Sequence, residues 1–126
     1  MKNIIRVSAA ILTMGISQAA FAECPKPIVP IIPDGNSATK AEITQAYRDF
    51  KNRFQPSIRR YQDCINEERA AVGDIASEDQ KQRWTELFDA AFVLESQMAN
   101  NMNVAIRAFK ARKDSETQTA EDKPAQ

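Results

Sequence analysis

Residues 73–80 read Gly73-Asp74-Ile75-Ala76-Ser77-Glu78-Asp79-Gln80, and this stretch decides the fold because one long helix ends here and another begins. Gly73 can adopt the backbone conformation that ends a helix. Ser77 and Gln80 have the spacing of a capping box, and the two acids between them lie in the first helical turn, where the helix dipole favours them. Such a short connection leaves consecutive helices side by side. The sequence therefore predicts an all-α fold, an antiparallel two-helix hairpin.

The first helix of the hairpin is predicted to begin at Lys40, because Thr39 and Glu42 form a second capping box. Apolar residues then recur at spacings of three and four, which is typical of one helical stripe. They are Ile43, Tyr47, Phe50, Phe54, Ile58, Tyr61, Ile65 and Val72. Pro56 interrupts this run, but the stripe keeps its phase on both sides, so we expect a kink rather than a break.

The second helix is predicted to begin near Glu78 and to end at residue 112, close to a group of basic residues that favours a helix C-terminus. The hairpin then spans residues 40–112, and residues 113–126 are expected to be a disordered polar tail. The apolar stripe of the second helix consists of Trp84, Leu87, Ala91, Leu94, Met98, Met102, Ala105 and Phe109. Further apolar residues widen this stripe beyond one face: Phe88, Phe92, Val93 and Ile106.

Residues 23–39 are predicted to be a proline-rich extended segment, because Pro27, Pro30 and Pro33 recur with the period of polyproline II. An extended chain advances about 3.1 Å per residue, so the segment can turn at residues 33–35 and run back along the first helix. The aliphatic residues of the segment are expected to pack on the helices as a third layer: Ile28, Val29, Ile31 and Ile32. The alternative is that they are exposed and bind the aromatic groove of a partner.

The chain has two cysteines, Cys24 and Cys64. In an oxidising compartment such a pair favours a disulfide over a metal or redox pair, and the spacing is not that of a Cys-x-x-Cys motif. A bond between two chains is the alternative, but the reach of the extended segment favours the internal bond. We therefore expect the disulfide to staple the segment to the first helix.

Residues 1–22 have the features of a cleavable signal peptide. Lys2 and Arg6 precede an apolar run over residues 7–16, and small residues, Ala20 and Ala22, flank Phe21 at the expected cleavage position. The apolar run is shorter than the roughly 20 residues of a membrane-spanning helix. The sequence predicts a periplasmic or secreted protein, cleaved near Ala22-Glu23, with no stable membrane insertion after cleavage.

Composition argues against several classes of function. The chain contains 17 basic residues, of which Lys2 and Arg6 leave with the signal peptide, against 17 acidic ones, so no nucleic-acid partner is expected. It contains no histidine, which removes the commonest general base and zinc ligand, so we expect neither an enzyme nor a cofactor. A metal site at Asp63, Glu67 and Glu68, or a Cu(I) site at Met98 and Met102, is a weaker interpretation than solvated charges and core packing.

Several residues and motifs follow one another in a characteristic order: Cys24, the spaced prolines, Pro33-Asp34-Gly35, Ala38-Thr39, Glu42 and Tyr61-Gln62-Asp63-Cys64. In this order they resemble a family of small uncharacterised exported proteins of Gram-negative bacteria. The resemblance covers residues 23–72. It supports the disulfide and the hairpin, implies a periplasmic location, and names no site.

The extra apolar residues of the second helix are the one functional hint in the sequence. Phe88, Phe92 and Ile106 are predicted to bind a protein partner or a second copy of the chain, as in a homodimer. The opposite interpretation, that Phe92 and Ile106 pack under the proline-rich segment, is equally open. The sequence thus favours a non-catalytic helical interaction or scaffold protein, with a small envelope-stress chaperone or carrier as the alternative.

Overall fold

The computed structural model describes residues 23–121, in which two long helical arms are joined by a tight turn. The first arm consists of helix α1 (Lys40–Asp49), a π-helical turn (Phe50–Phe54) and helix α2 (Gln55–Val72). A 3-10 turn (Gly73–Ile75) leads to the second arm, helix α3 (Glu78–Glu121). The predicted all-α hairpin is confirmed. The predicted signal peptide, residues 1–22, lies outside the described residues.

Both arms begin with the capping boxes that the sequence predicts. The Thr39 backbone N–H donates to Glu42 Oε2 over 2.7 Å, and the Glu42 N–H donates to Thr39 Oγ1 over 3.2 Å. Ser77 and Gln80 exchange the same pair of bonds, at 2.9 and 3.2 Å. Each box satisfies backbone donors that the first helical turn leaves unpaired.

Helix α3 continues to Glu121, nine residues beyond the predicted end at residue 112, so the expected disorder of residues 113–121 is wrong. Local interactions account for the extension. Glu116 pairs with Arg112 and Lys113 across one turn, at 2.9 and 2.6 Å. Such pairs support a helix without tertiary packing. Low hydrophobicity alone was therefore a poor guide to the end of this helix.

The arms enclose a row of three small apolar clusters. One cluster lies near the start of α1, the second around the π-helical turn, and the third beside the hairpin turn. Phe54 and Ile58 in the second cluster are fully buried. The clusters contain Ala38, Ile43, Ala46, Met102 and Ala105; Phe50, Phe54, Ile58, Ala91 and Met98; and Cys24, Ile65, Ala76 and Trp84.

The disturbance predicted at Pro56 takes the form of the π-helical turn that precedes it, in which the Gln55 N–H donates to the Phe50 carbonyl. In a regular helix, which turns by 100° per residue, the inward residues before this turn and those after it would point in directions roughly 65° apart. The wider turn removes that offset. Ala46 therefore packs inward, whereas Tyr47, which we expected in the stripe, is 47% exposed.

The Cys24–Cys64 disulfide is confirmed, with the two Cα atoms 5.7 Å apart. From Cys24 the segment runs back along the first arm, where the Ile28 N–H donates to the buried Ser57 Oγ over 3.0 Å. It crosses to the second arm at Gly35, which lies directly against the backbone of Ala105. The segment therefore runs antiparallel to the first arm, as the sequence predicts.

The packing of the segment differs from our expectation. Cys24 is buried and Pro27, Pro30 and Pro33 are half-buried, whereas Ile28, Val29 and Ile31 are exposed, Ile31 to 90%. Of the four aliphatic residues only Ile32 packs on the core. A three-residue period turns one residue in three inward. Because the disulfide holds Cys24 inward, the prolines share its side, and Ile28, Val29 and Ile31 face away from it.

Candidate interaction surface

The proline-rich segment covers only one flank of the hairpin. On α3 it lies beside Asn101, Ala105 and Ala108, and Arg112 of α3 donates a hydrogen bond to the Ala38 carbonyl. At 100° per residue, four apolar residues of α3 project from the opposite side of the helix. With Tyr47 of α1 they define what we call the open flank: Tyr47, Phe88, Phe92, Ala99 and Ile106.

The open flank is apolar and only partly shielded. Phe92 is 63% exposed, whereas Phe88, Ala99 and Ile106 are half-buried, with Ile106 packed against the cluster of Ile43 and Met102. The structure thus brings Phe88, Phe92 and Ile106 to one side of the hairpin. The interpretation that Phe92 packs under the proline-rich segment is wrong, because the segment lies on the other flank.

Polar side chains join the two arms across the open flank. Gln55 donates from Nε2 to Glu95 Oε1 over 3.0 Å, and Arg69 donates to Thr85 Oγ1 over 3.5 Å. These bonds fix the spacing of the arms on the side that the segment leaves bare.

The margin of the open flank is basic. Helical periodicity places Lys40, Lys51 and Lys110 beside its apolar residues, and all three are exposed. Within residues 23–121 none of these lysines forms an ion pair, and the acid among them, Glu95, already accepts a bond from Gln55. The flank therefore combines an apolar centre with a positive border.

Sequence reasoning missed two residues of this surface, Ala99 and the larger Tyr47. Its spacing from Ile43 and Phe50 fits a regular helical stripe, and the extra residue that the π-helical turn accommodates is what moves it outward. Pro56 was the available signal, because a proline that removes a helical N–H often follows an irregular turn.

A second exposed apolar feature lies on the covered side. Ile28, Val29 and Ile31 border a groove of about 460 Å³ whose other wall carries Glu42, Gln45, Asp49 and Arg53 of the first arm. Recognition of a polyproline segment depends on its prolines entering an aromatic groove. Because the prolines of this segment face the helices, its use as a proline-rich ligand is disfavoured.

The metal-binding alternatives receive no support from the geometry. Among the described residues, the one group of three close donors is Cys24, Cys64 and Glu68, within 4.8 Å of one another, and its two sulfurs are bonded to each other. Asp63 and Glu67 do not join it. Met98 and Met102 are buried in two different core clusters, so both serve as packing.

No protein-family model, curated protein or solved structure matches this chain. In residues 23–121, no helix combines the length and the apolar character that crossing a membrane requires.

Proposed function

We propose that this chain is an exported, non-catalytic helical scaffold that binds another protein through the open flank. The observation that carries the proposal is the exposure of Phe92 beside Phe88, on the flank that the proline-rich segment leaves bare. A single exposed apolar residue needs no explanation, but a continuous apolar patch often marks an interface. Here the patch extends from Phe92 to Ile106 and across to Tyr47.

The scaffold role is supported by the way the hairpin is braced. The disulfide and the bond from Ile28 to Ser57 hold the segment to the first arm, and the Gln55–Glu95 bond ties the two arms together. A surface that is already ordered loses little conformational entropy when it binds. The open flank is therefore suited to binding without rearrangement.

The charges on the flank favour a partner that presents an apolar patch bordered by acidic side chains. Lys40, Lys51 and Lys110 would pair with such acids. A second copy of this chain would instead bring the same basic margin against itself, because a two-fold interface uses one patch on both subunits. We therefore favour a different protein over a homodimer.

Export is proposed from the sequence of residues 1–22, and a disulfide is compatible with it because disulfides persist in oxidising compartments. The proposed location is the periplasm or the exterior of the cell, after cleavage near Ala22-Glu23. The absence of histidine supports a non-catalytic role.

A photo-crosslinking amino acid at position 92 of the exported protein tests the proposal in living cells. We expect one discrete product whose mass differs from twice the monomer mass and that contains a second protein. A product of twice the monomer mass would overturn the proposal in favour of a homodimer. A smear of many products would overturn it in favour of the small chaperone or carrier.

Two neighbouring substitutions provide a matched comparison. Phe92→Glu places a charge on the open flank, whereas Val93→Glu places the same charge on the back of α3, at a residue that is also exposed. Association should be lost with Phe92→Glu and kept with Val93→Glu, with unchanged helicity by circular dichroism. Equal binding by both variants, or loss of helicity with Phe92→Glu, would contradict the proposal.

A further inference from the structure

A half-buried carboxylate lies against the disulfide at the end of the hairpin. Glu68 of α2 has Oε1 3.5 Å from the Sγ of Cys24. Because a disulfide sulfur carries no hydrogen, this is a close contact and not a hydrogen bond. Glu68 Oε2 accepts a bond from Trp84 Nε1 over 3.3 Å. Trp84 is buried, so the indole fixes the carboxylate in this position.

A groove of about 410 Å³ gives access to this corner. Cys24 lines it together with Trp84, Tyr61 and Leu87, and its charged residues are Glu23, Lys26, Glu68 and Arg83. These are two acids and two bases, so the groove as a whole has little net charge. Among these charged groups Glu68 is the one placed in contact with a sulfur of the disulfide.

Reduction of a disulfide proceeds by attack of a thiolate on one sulfur. The bond to the attacking sulfur forms as the Cys24–Cys64 bond breaks, and the other cysteine leaves as a thiolate. A second thiol of a dithiol reductant then resolves the mixed disulfide. Overall, two electrons and two protons pass to the cysteines, and the reductant is oxidised to its own disulfide.

Glu68 opposes both possible directions of attack. A thiolate that attacks Cys24 must bring its negative charge next to the carboxylate. If Cys64 is attacked instead, the negative charge develops on Cys24 as the leaving sulfur, 3.5 Å from Glu68 Oε1. Like charges at this separation repel strongly where water is partly excluded.

We propose that the charge of Glu68, held in place by Trp84, protects the Cys24–Cys64 disulfide against reduction by thiols. The disulfide fastens the proline-rich segment, so its protection preserves the order of the whole N-terminal layer. The inference concerns a different site from the open flank and does not depend on the proposed function.

The rate of reduction of the oxidised protein by dithiothreitol tests the proposal. Glu68→Gln keeps an oxygen that can accept the Trp84 bond but removes the charge, and it should be reduced about tenfold faster than the native protein. Glu67→Gln makes the same chemical change at the adjacent exposed residue and should leave the rate unchanged. Alkylation of the released thiols, followed by gel shift, measures the rates.

A comparison of charged reductants tests whether the protection is electrostatic, and urea unfolding tests whether stability has changed. Cysteamine is cationic and 2-mercaptoethanesulfonate is anionic. The native protein should therefore react faster with cysteamine than with 2-mercaptoethanesulfonate. Glu68→Gln should reduce that preference. A variant that reacted faster only because it unfolded would show a lower free energy of unfolding in urea than the native oxidised protein. An unchanged rate in Glu68→Gln, an equal acceleration in Glu67→Gln, or an unchanged preference would each overturn the proposal.

Discussion

Thr39 and Glu42 show how two residues define the beginning of a helix. The Thr39 backbone N–H and hydroxyl both donate to Glu42 Oε2, at 2.7 and 2.8 Å. The backbone bond, followed by the side-chain bond, lowers the pKa of Glu42 from its ordinary value of 4.5. Hydrogen bonds to the charged form stabilise it, which is the cause of this shift. The two bonds that Glu42 accepts from Thr39 therefore favour its ionised form, whereas the bond from the Glu42 N–H to Thr39 Oγ1 does not depend on ionisation.

Thr39→Ala should lower the free energy of unfolding by about 1 kcal/mol at pH 7, because it removes the side chain that caps α1. The effect should depend on pH. A depressed pKa in the folded state makes the unfolded chain bind more protons, so the contribution is present above pH 4.5 and is lost as the pH falls through the folded pKa of Glu42. Urea unfolding at several pH values measures both.

Thr44→Ala is the control for this prediction, since Thr44 is exposed in the middle of α1. Alanine is the better helix former there, so the stability should not fall. If both substitutions cost the same, the capping argument would be wrong. A loss in Thr39→Ala that did not shrink at all as the pH falls below 4.5 would contradict the contribution of the hydroxyl bond from Thr39 to Glu42.

At the scale of elements, the two helical arms are continuous, but the first arm keeps its inward face only by means of the π-helical turn. Ser57 lies just after this turn and connects it to the segment. Its hydroxyl donates to the Phe54 carbonyl over 2.7 Å and accepts from the Ile28 N–H over 3.0 Å. The irregularity of the helix thus coincides with a point of attachment for the third layer.

Gly35→Ala should destabilise the protein by about 2 kcal/mol and detach the segment from α3. A Cβ at position 35 would overlap the Ala105 carbonyl oxygen and lie 2.9 Å from the Ala108 Cβ, so backbone would have to move. Urea unfolding gives the free energy. Limited proteolysis at Lys26 reports detachment when its rate is compared with that of the native protein. The protease is Lys-C, which unlike trypsin cleaves a Lys–Pro bond such as Lys26-Pro27.

Gly73→Ala is the matched control. A Cβ there meets nothing within 4 Å, but the φ of 61° with a ψ of −141° is a conformation that alanine rarely adopts, at a cost of roughly 1–3 kcal/mol. It should lower stability without speeding cleavage at Lys26. Cleavage that is accelerated equally in both variants would show that general loss of stability, and not detachment of the segment, exposes this site.

At the scale of the molecule, the hairpin is thin, and its stability depends on the closure of the chain by the disulfide. The bond joins residues 40 positions apart. In the chain-entropy model a loop of that length stabilises the folded state by about 4 kcal/mol, which is a large part of the stability of a small domain.

Cys24→Ser combined with Cys64→Ser should therefore lower the free energy of unfolding by about 4 kcal/mol. The segment should be lost before the helices, because the arms keep their own apolar clusters. Cleavage at Lys26 should accelerate at a urea concentration where the helical signal in circular dichroism is still present. Simultaneous loss of both signals would contradict a separate third layer. The native protein should release no free thiol when denatured without reductant.

The features that depend on near neighbours or on the reach of the chain could be predicted from the sequence. The capping boxes at Thr39 and Ser77 and the turn at Gly73 follow from relations within a few residues. The pairing of Cys24 with Cys64 follows from the lengths of an extended segment and a helix. The open flank was foreseen in part, since Phe88 and Phe92 exceed what one helical stripe can bury.

Which side of each segment faces inward depends on contacts between elements that are distant in sequence. A period of three predicts that one residue in three of the segment is covered, but it does not say which. The disulfide at Cys24 and the close approach of Gly35 to Ala105 fix that register and leave Ile31 in solvent. The position of Tyr47 was settled in the same way. The side on which Tyr47 lies depends on the π-helical turn, which lets both halves of the first arm pack against α3. This constraint acts between helices and does not show in the residues next to Tyr47.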